Sequence, residues 1–449
     1  MTEMTEEKVK NDIEKQGQPI ATQENAPEGA VLCALLVKGD EHAAQVSLEE
    51  LARLAETADA VVLAKMTQQK DTPDVKSYFG SGKVAELKEL CGQLCADLCI
   101  FDGELTPSQI RNLEKELDGP RVIDRSMLIL DIFARHATSG EGKLQVELAQ
   151  LQYTIPRLSG KGTELSRLGG GIGTRGPGET KLETDRRHLR RRIDALSEQL
   201  AQLDRTKEVQ RQARMRSGIP KIAIAGYTNA GKSTLLNALT NAGILAQDKL
   251  FATLDPTTRK YVLPGGTEVL LTDTVGFIRN LPHHLIRAFR STLQEVCYAD
   301  LILLVVDASD PEAKAQLAVT QQLLCDLGAG EKPVLYVLNK IDCAPQGVAS
   351  AALDAADTVP LSAKTGQGLS ALAREIERIL RRGKQTVTLL LPHDKGAVLH
   401  KLHTDATVKA THYDAQGIIV VAEMEEAEIG RFAPYITDQF SNDGTNSGI

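Results

Sequence analysis

No apolar run in this chain approaches the roughly 18 residues that a membrane-spanning helix needs. Its acidic, Gln-rich start, residues 1–29, also lacks the apolar core of a signal peptide and reads as a disordered tail. Neither end carries a lipid-anchor pattern or a basic amphipathic stretch. A cytoplasmic protein is therefore expected, with no integral membrane segment and, at most, peripheral contact with a membrane. The seven Cys show no Cys-x-x-Cys spacing, and an odd set of this kind argues for reduced thiols rather than disulfides or a metal knuckle. Cys91 and Cys95 suit the core-facing stripe of a helix and Cys99 the strand after it.

Charge is unevenly placed. The formal net charge is −8, yet residues 157–216 hold fifteen Lys and Arg against eight Asp and Glu, a local +7. A basic segment on an acidic chain is the footprint of a protein that meets RNA with one part only. A solvated helix face with Arg–Glu pairs would look similar. At 449 residues the chain should divide into three or four domains, because single cores rarely grow beyond about 250 residues.

The densest signal is Lys221–Thr234, where an apolar strand runs into Gly226-Tyr227-Thr228-Asn229-Ala230-Gly231-Lys232-Ser233-Thr234 and then a helix. This is a complete phosphate loop. Its N–H groups and the positive end of the next helix favour phosphate, and Lys232 reaches the β- and γ-phosphates. Ser233 offers a hard hydroxyl oxygen to Mg²⁺.

A second anchor identifies the base. Val334–Leu338 reads as a buried strand delivering Asn339-Lys340-Ile341-Asp342 at its carboxyl end, where open α/β sheets bind ligands. The Asp342 carboxylate can accept from guanine N1–H and N2–H₂, whereas adenine has no such donor pair. Sites built on such bonds reject the wrong partner by roughly 10⁴-fold. Asn339 would brace the loop, Lys340 would cover the nucleotide, and the backbone of Ser362-Ala363-Lys364 could meet guanine O6.

Between the anchors lie two segments suited to sensing the γ-phosphate. Strand Glu268–Leu271 leads into Thr272-Asp273-Thr274-Val275-Gly276, with Asp273 holding Mg²⁺ through a water and the Gly276 N–H on the γ-phosphate. Upstream, Phe251-Ala252-Thr253-Leu254-Asp255 precedes Pro256-Thr257, and Thr253 is the preferred second metal ligand, with Thr257 the alternative. Lys232, Gly276 and Thr253 are thus the candidate catalytic residues. Phe277 stands where signalling GTPases place a water-orienting Gln. Phe offers that water no hydrogen bond, so slow intrinsic hydrolysis stimulated by a partner is expected.

These motifs, with Tyr78–Leu87, Val146–Tyr153, Pro156-Arg157-Leu158 and Gly169–Arg187, resemble the HflX family of ribosome-associated GTPases over about Ala30–Arg382. The run Gly-Gly-Gly-Ile-Gly-Thr-Arg-Gly-Pro-Gly-Glu-Thr-Lys-Leu-Glu is the most specific of them. The resemblance implies a factor that binds the large ribosomal subunit and its RNA and, with GTP, splits stalled or idle ribosomes under stress such as heat. Alternatives are a nucleotide-dependent RNA-unwinding or ribosome-assembly factor, or a non-catalytic GTP-dependent adaptor. A monomer that binds no DNA is expected.

The fold expected is multidomain α/β. After the tail come an N-terminal α/β domain (30–138), a helical hairpin with a Gly-rich basic loop (139–217), a guanine-nucleotide domain (218–384), a small C-terminal α/β domain (385–440) and a flexible end (441–449). In the first domain Val31–Val37 and Ala60–Ala64 read as buried strands, and Pro107–Leu117 as a helix capped by Thr106. Leu189, Ile193, Leu196, Leu200 and Leu203 form a short heptad seam suited to an intramolecular helix pair. The loop 158–180 holds eight Gly with Lys161, Arg167 and Arg175, a composition that can fit a narrow RNA-lined space.

Overall fold

The computed structural model describes residues 27–158, 177–215, 218–240, 250–251, 255–282, 285, 288–289, 293–344, 357–381 and 384–437. The chain forms two compact units that divide between Ile132 and Phe133. No described helix is long and apolar enough to cross a membrane.

The first unit is built on a parallel sheet in the order β2-β1-β3-β4. Its elements in chain order are β1 (Gly29–Leu36), α1 (Glu41–Thr57), β2 (Val61–Gln69), α2 (Ser81–Leu94), β3 (Leu98–Phe101), α3 (Pro107–Leu117), β4 (Arg121–Asp124) and α4 (Arg125–His136). β1 buries Ala30, Val31, Leu32, Cys33 and Ala34 without alternation, as a central strand covered on both faces must. α3 opens with the reciprocal cap its sequence suggests: Gln109 N–H donates to Thr106 Oγ1 at 3.2 Å, and Thr106 N–H to Gln109 Oε1 at 2.8 Å.

Two expectations need correction here. Ala60–Ala64 is not a buried strand, because β2 is at the sheet edge and leaves Val61 and Leu63 exposed. Cys95 does not face the core. It closes α2 in the left-handed conformation (φ 49°) with its side chain in solvent, while Cys91 and Cys99 meet inside with their sulfurs 3.4 Å apart.

The second unit begins with a helix pair, α5 (Gly140–Thr154) and α6 (Pro177–Met215). Glu141 pairs with Lys207 at 2.5 Å and Glu147 with Arg192 at 2.7 Å, so the two helices run antiparallel. Leu196 is fully buried, whereas Leu203 is exposed, so the heptad seam closes over only part of its length. The loop carrying Lys161, Arg167 and Arg175 lies outside the described residues.

A six-stranded sheet follows, ordered β10-β9-β8-β5-β7-β6. Its elements are β5 (Lys221–Gly226), α7 (Lys232–Thr240), β6 (Thr257–Val262), β7 (Glu268–Asp273), β8 (Leu301–Asp307), α8 (Ala313–Asp326), β9 (Val334–Asn339), β10 (Thr358–Pro360) and α9 (Leu369–Leu380). Only β6 is antiparallel, to β7. Ile222, Ile224, Leu303, Val305, Leu335 and Val337 form the heart of its core. The carboxyl ends of β5, β7, β8 and β9 therefore open on one edge, where the polar motifs gather.

The last part is an antiparallel sheet, β11-β13-β12, made of β11 (Lys384–Leu391), β12 (Thr407–Asp414) and β13 (Gly417–Glu425). α10 (Gly396–Asp405) and α11 (Glu426–Phe432) contribute Leu402 and Phe432 to its core.

Candidate nucleotide site

The loop from Gly226 to Lys232 joins β5 to α7 and is held from three sides. Gly231 has φ +91°, and a Cβ there would lie 2.3 Å from Asn339 Nδ2, so only Gly lets this amide approach. The Asn339 Nδ2 donates to the Ala230 carbonyl at 2.8 Å, while its Oδ1 accepts from Ala363 N–H at 2.9 Å. One buried side chain thus registers the phosphate loop, the Asn339–Asp342 motif and the Ser362–Lys364 loop against one another. The Ala363 N–H is committed to this brace.

Lys232 is buried and donates to the Tyr227 carbonyl at 2.8 Å. Burial pushes its ammonium down to about 8, with Asp273 acting in the opposite direction. An ammonium so desolvated gains from an incoming phosphate. Beside it, Ser233 Oγ donates to Asp273 Oδ2 at 2.6 Å, and Asp273 is completely buried. A hydroxyl and a carboxylate converging next to a phosphate loop are hard oxygen donors of the kind Mg²⁺ takes, so the residues present fit that ion.

The segment after β7 is locked onto the phosphate loop. Thr228 N–H donates to the Phe277 carbonyl at 2.7 Å and Phe277 N–H to the Gly226 carbonyl at 3.1 Å. Thr274 Oγ1 donates to the Ile224 carbonyl at 2.8 Å, and the Tyr227 hydroxyl accepts from Arg279 N–H at 2.8 Å. Phe277 is buried. Val275 is buried beside it, and Gly276 passes against Thr228 and Lys232 Nζ. The Thr228 hydroxyl is buried here without a hydrogen-bond partner.

At the Asn339–Asp342 motif, hydrogen bonds from Ser362 and Cys343 hold the Asp342 carboxyl below its ordinary range, so it is an acceptor at neutral pH. Lys340, in the left-handed region (φ 62°), pairs with Asp307 at 2.6 Å. That partner at the end of β8 carries no motif in the sequence, and neither does Glu312, which pairs with Arg279 at 2.8 Å. Acidic residues just past an apolar strand were the available signal.

Of the upstream segment, Ala252, Thr253 and Leu254 lie outside the described residues. Thr257 begins β6 opposite Asp273. Phe251 is buried, and Asp255 is directed to Thr138 and Ser139 rather than toward the phosphate loop. Burial opposes its ionisation, but the Ser139 and Thr138 donors outweigh it and hold the carboxyl below its ordinary range.

Known proteins match this chain over most of its length. Three family models cover successive stretches: GTP-binding GTPase N-terminal at 45–134, GTP-binding GTPase middle region at 136–214 and 50S ribosome-binding GTPase at 221–340. The GTPase HflX of Caldanaerobacter subterraneus subsp. tengcongensis is 50% identical over 397 residues, which is 88% of this chain and 91% of that protein. The chain belongs to the HflX family.

The GTPase HflX of Escherichia coli strain K12 is 40% identical over 398 residues, 88% of this chain and 93% of that one. Among solved structures, the crystal structure of SsGBP with GDP is 30% identical and covers 78% of this chain and 98% of its own, at a TM-score of 0.46. That structural likeness is too loose to add to the sequence comparison. As an HflX-family member the chain is a GTPase, hydrolysing GTP to GDP and phosphate.

Proposed function

We propose that this GTPase works on the large ribosomal subunit and, in its GTP state, drives apart the subunits of stalled or idle ribosomes, notably under heat stress. The observation that carries this reading is the conjunction of a guanine-nucleotide switch with a match to the 50S ribosome-binding GTPase model on a chain whose basic charge is concentrated at 157–216. On α6, Arg187, Arg190 and Arg191 are exposed, as RNA-phosphate contacts need to be. The hairpin of α5 and α6 would present its Gly-rich basic loop to ribosomal RNA.

In the proposed cycle, phosphate-loop N–H groups from Tyr227 to Thr234 and the Lys232 ammonium hold the β- and γ-phosphates, and Gly276 N–H meets the γ-phosphate as its charge grows. Ser233 and Thr253 would hold Mg²⁺, with Asp273 acting through water. When bound, the ion neutralises charge on the phosphate oxygens. Water attacks the γ-phosphorus as the bond to the β-phosphate oxygen breaks, leaving GDP. Phe277 is packed away and gives that water no hydrogen bond, so contact with the ribosome completes the site and accelerates hydrolysis.

Sedimentation of ribosomes with the full chain and a non-hydrolysable GTP analogue tests this. Conversion of intact particles to separate subunits is expected, and an unchanged profile contradicts it.

A further inference from the structure

The hydroxyls of Ser233, Thr274 and Tyr227 around the phosphate loop are each committed to a protein partner: Asp273 Oδ2, the Ile224 carbonyl and Arg279 N–H, respectively. Thr228 is the exception. It is only 6% exposed, and its Oγ1 is buried with no hydrogen-bond partner among the described residues. We propose that this hydroxyl is reserved for the nucleotide: it donates to an oxygen of the γ-phosphate and makes the site prefer the triphosphate to the diphosphate.

The position of Thr228 supports this role. It lies at the corner of the loop, in the turn closed by Ala230 N–H on the Tyr227 carbonyl at 3.2 Å, and the same carbonyl accepts from Lys232 Nζ at 2.8 Å. Gly276 brings the two side chains to one point. A Cβ at Gly276 would lie 2.7 Å from Thr228 Cγ2 and 3.0 Å from Lys232 Nζ, so the methyl of Thr228 and the ammonium stand together beside the residue whose N–H is assigned to the γ-phosphate. With its methyl held against Gly276, the Thr228 side chain has little freedom left to lose when a ligand arrives.

The backbone of Thr228 is already occupied. Its N–H donates to the Phe277 carbonyl at 2.7 Å, which removes it from the loop N–H groups named above. What this residue gives the nucleotide must therefore come from its side chain. Phosphate oxygens only accept hydrogen bonds, and a hydroxyl can donate one. A hydroxyl left buried and unanswered destabilises the fold, whereas a bond to an ionised oxygen is among the stronger ones. The γ-phosphate thus answers a group that the protein leaves open.

The inference rests on the Lys232 cradle as the phosphate site, and that reading has its own arm in the test. The full-length protein is titrated, with Mg²⁺ present, with GDP and with a non-hydrolysable GTP analogue carrying an imido bridge between its β- and γ-phosphates, and its nucleotide-free thermal midpoint is recorded. Thr228→Val keeps the shape and removes the hydroxyl. Its analogue affinity should fall about tenfold, as expected for losing a hydrogen bond to a charged oxygen, while GDP affinity stays within about twofold. The midpoint should hold or rise, because no bond of the nucleotide-free protein is lost. Thr228→Ser, which keeps the hydroxyl without the methyl, should restore the analogue affinity. Unchanged analogue affinity in the Val variant, an equal fall for GDP, a lowered midpoint, or an equal loss in the Ser variant would overturn the proposal. If Lys232→Ala binds both nucleotides as the unaltered protein does, the cradle reading itself fails and the proposal goes with it.

Discussion

Asn339 is the side chain on which the site's geometry converges, and removing it has a cost that follows from its two bonds. Asn339→Ala deletes the 2.8 Å bond to the Ala230 carbonyl and the 2.9 Å bond from Ala363 N–H, stranding two backbone groups of buried residues. Each bond is worth about 1 kcal/mol net, and a stranded buried partner costs about 1–3 kcal/mol, so the total is about 2–4 kcal/mol once partial relaxation is allowed. Part of that appears as lost stability of the nucleotide domain. The rest appears as weaker binding, because phosphate loop and base loop are no longer held in register. Asn339→Asp is the sharper variant. It keeps an acceptor for Ala363 N–H but sets a second acceptor against the Ala230 carbonyl, so it should do no better than Ala. Urea unfolding and GDP titration calorimetry measure both effects, with GDP affinity expected to fall at least about tenfold, the equivalent of 1.4 kcal/mol. A change of less than about 0.5 kcal/mol in both would refute the bracing role.

Two further perturbations test other parts of the account. Lys232, pushed down to about 8 by burial, loses its proton in the empty folded site before the unfolded chain does. Between that value and its ordinary range, rising pH therefore favours the fold through this group, but it disfavours phosphate, which needs the ammonium. Metal-free GDP affinity should drop roughly fivefold to tenfold between about pH 7.5 and about pH 9, with proton uptake visible calorimetrically in buffers of different ionisation heat. A flat profile without uptake would contradict the shift. Deleting the Gly-rich stretch 159–176 should leave GTP binding intact while ribosome-stimulated hydrolysis collapses. Equal stimulation with and without it would show that the loop is only a linker.

Much of the nucleotide domain is legible because its chemistry is local. Lys221–Gly226 and Val334–Asn339 are apolar runs that end in their own motifs. The capping box at Thr106 and Gln109 is likewise written within four residues. What escaped is of two kinds. Some elements lack punctuation: β4 passes straight into α4 at Asp124–Arg125 with no Gly or Pro between them. α1 opens without a side-chain cap, although Leu48, Leu51 and Leu54 line its buried side at helical spacing. β12 is an edge strand of largely polar residues, and polar composition reads as loop. Other features depend on partners distant in sequence. Arg125, buried between Glu50 and Asp102, and Asp255 on Ser139, 116 residues away, leave no pattern in a single sequence.

The central claim is that Asp342 selects guanine for a cradle built around Lys232, and exchanging one atom of that side chain addresses it directly. Asp342→Asn replaces one carboxylate oxygen with an amide donor, which suits the ring carbonyl of xanthine and opposes the guanine amino group. The account predicts that the variant loses GTP by roughly 10⁴-fold, as expected when a designed hydrogen-bond pair is left unmatched, and gains xanthosine triphosphate, which it then hydrolyses. Retention of GTP affinity, or uptake of ATP and GTP alike by the unaltered protein, would contradict it.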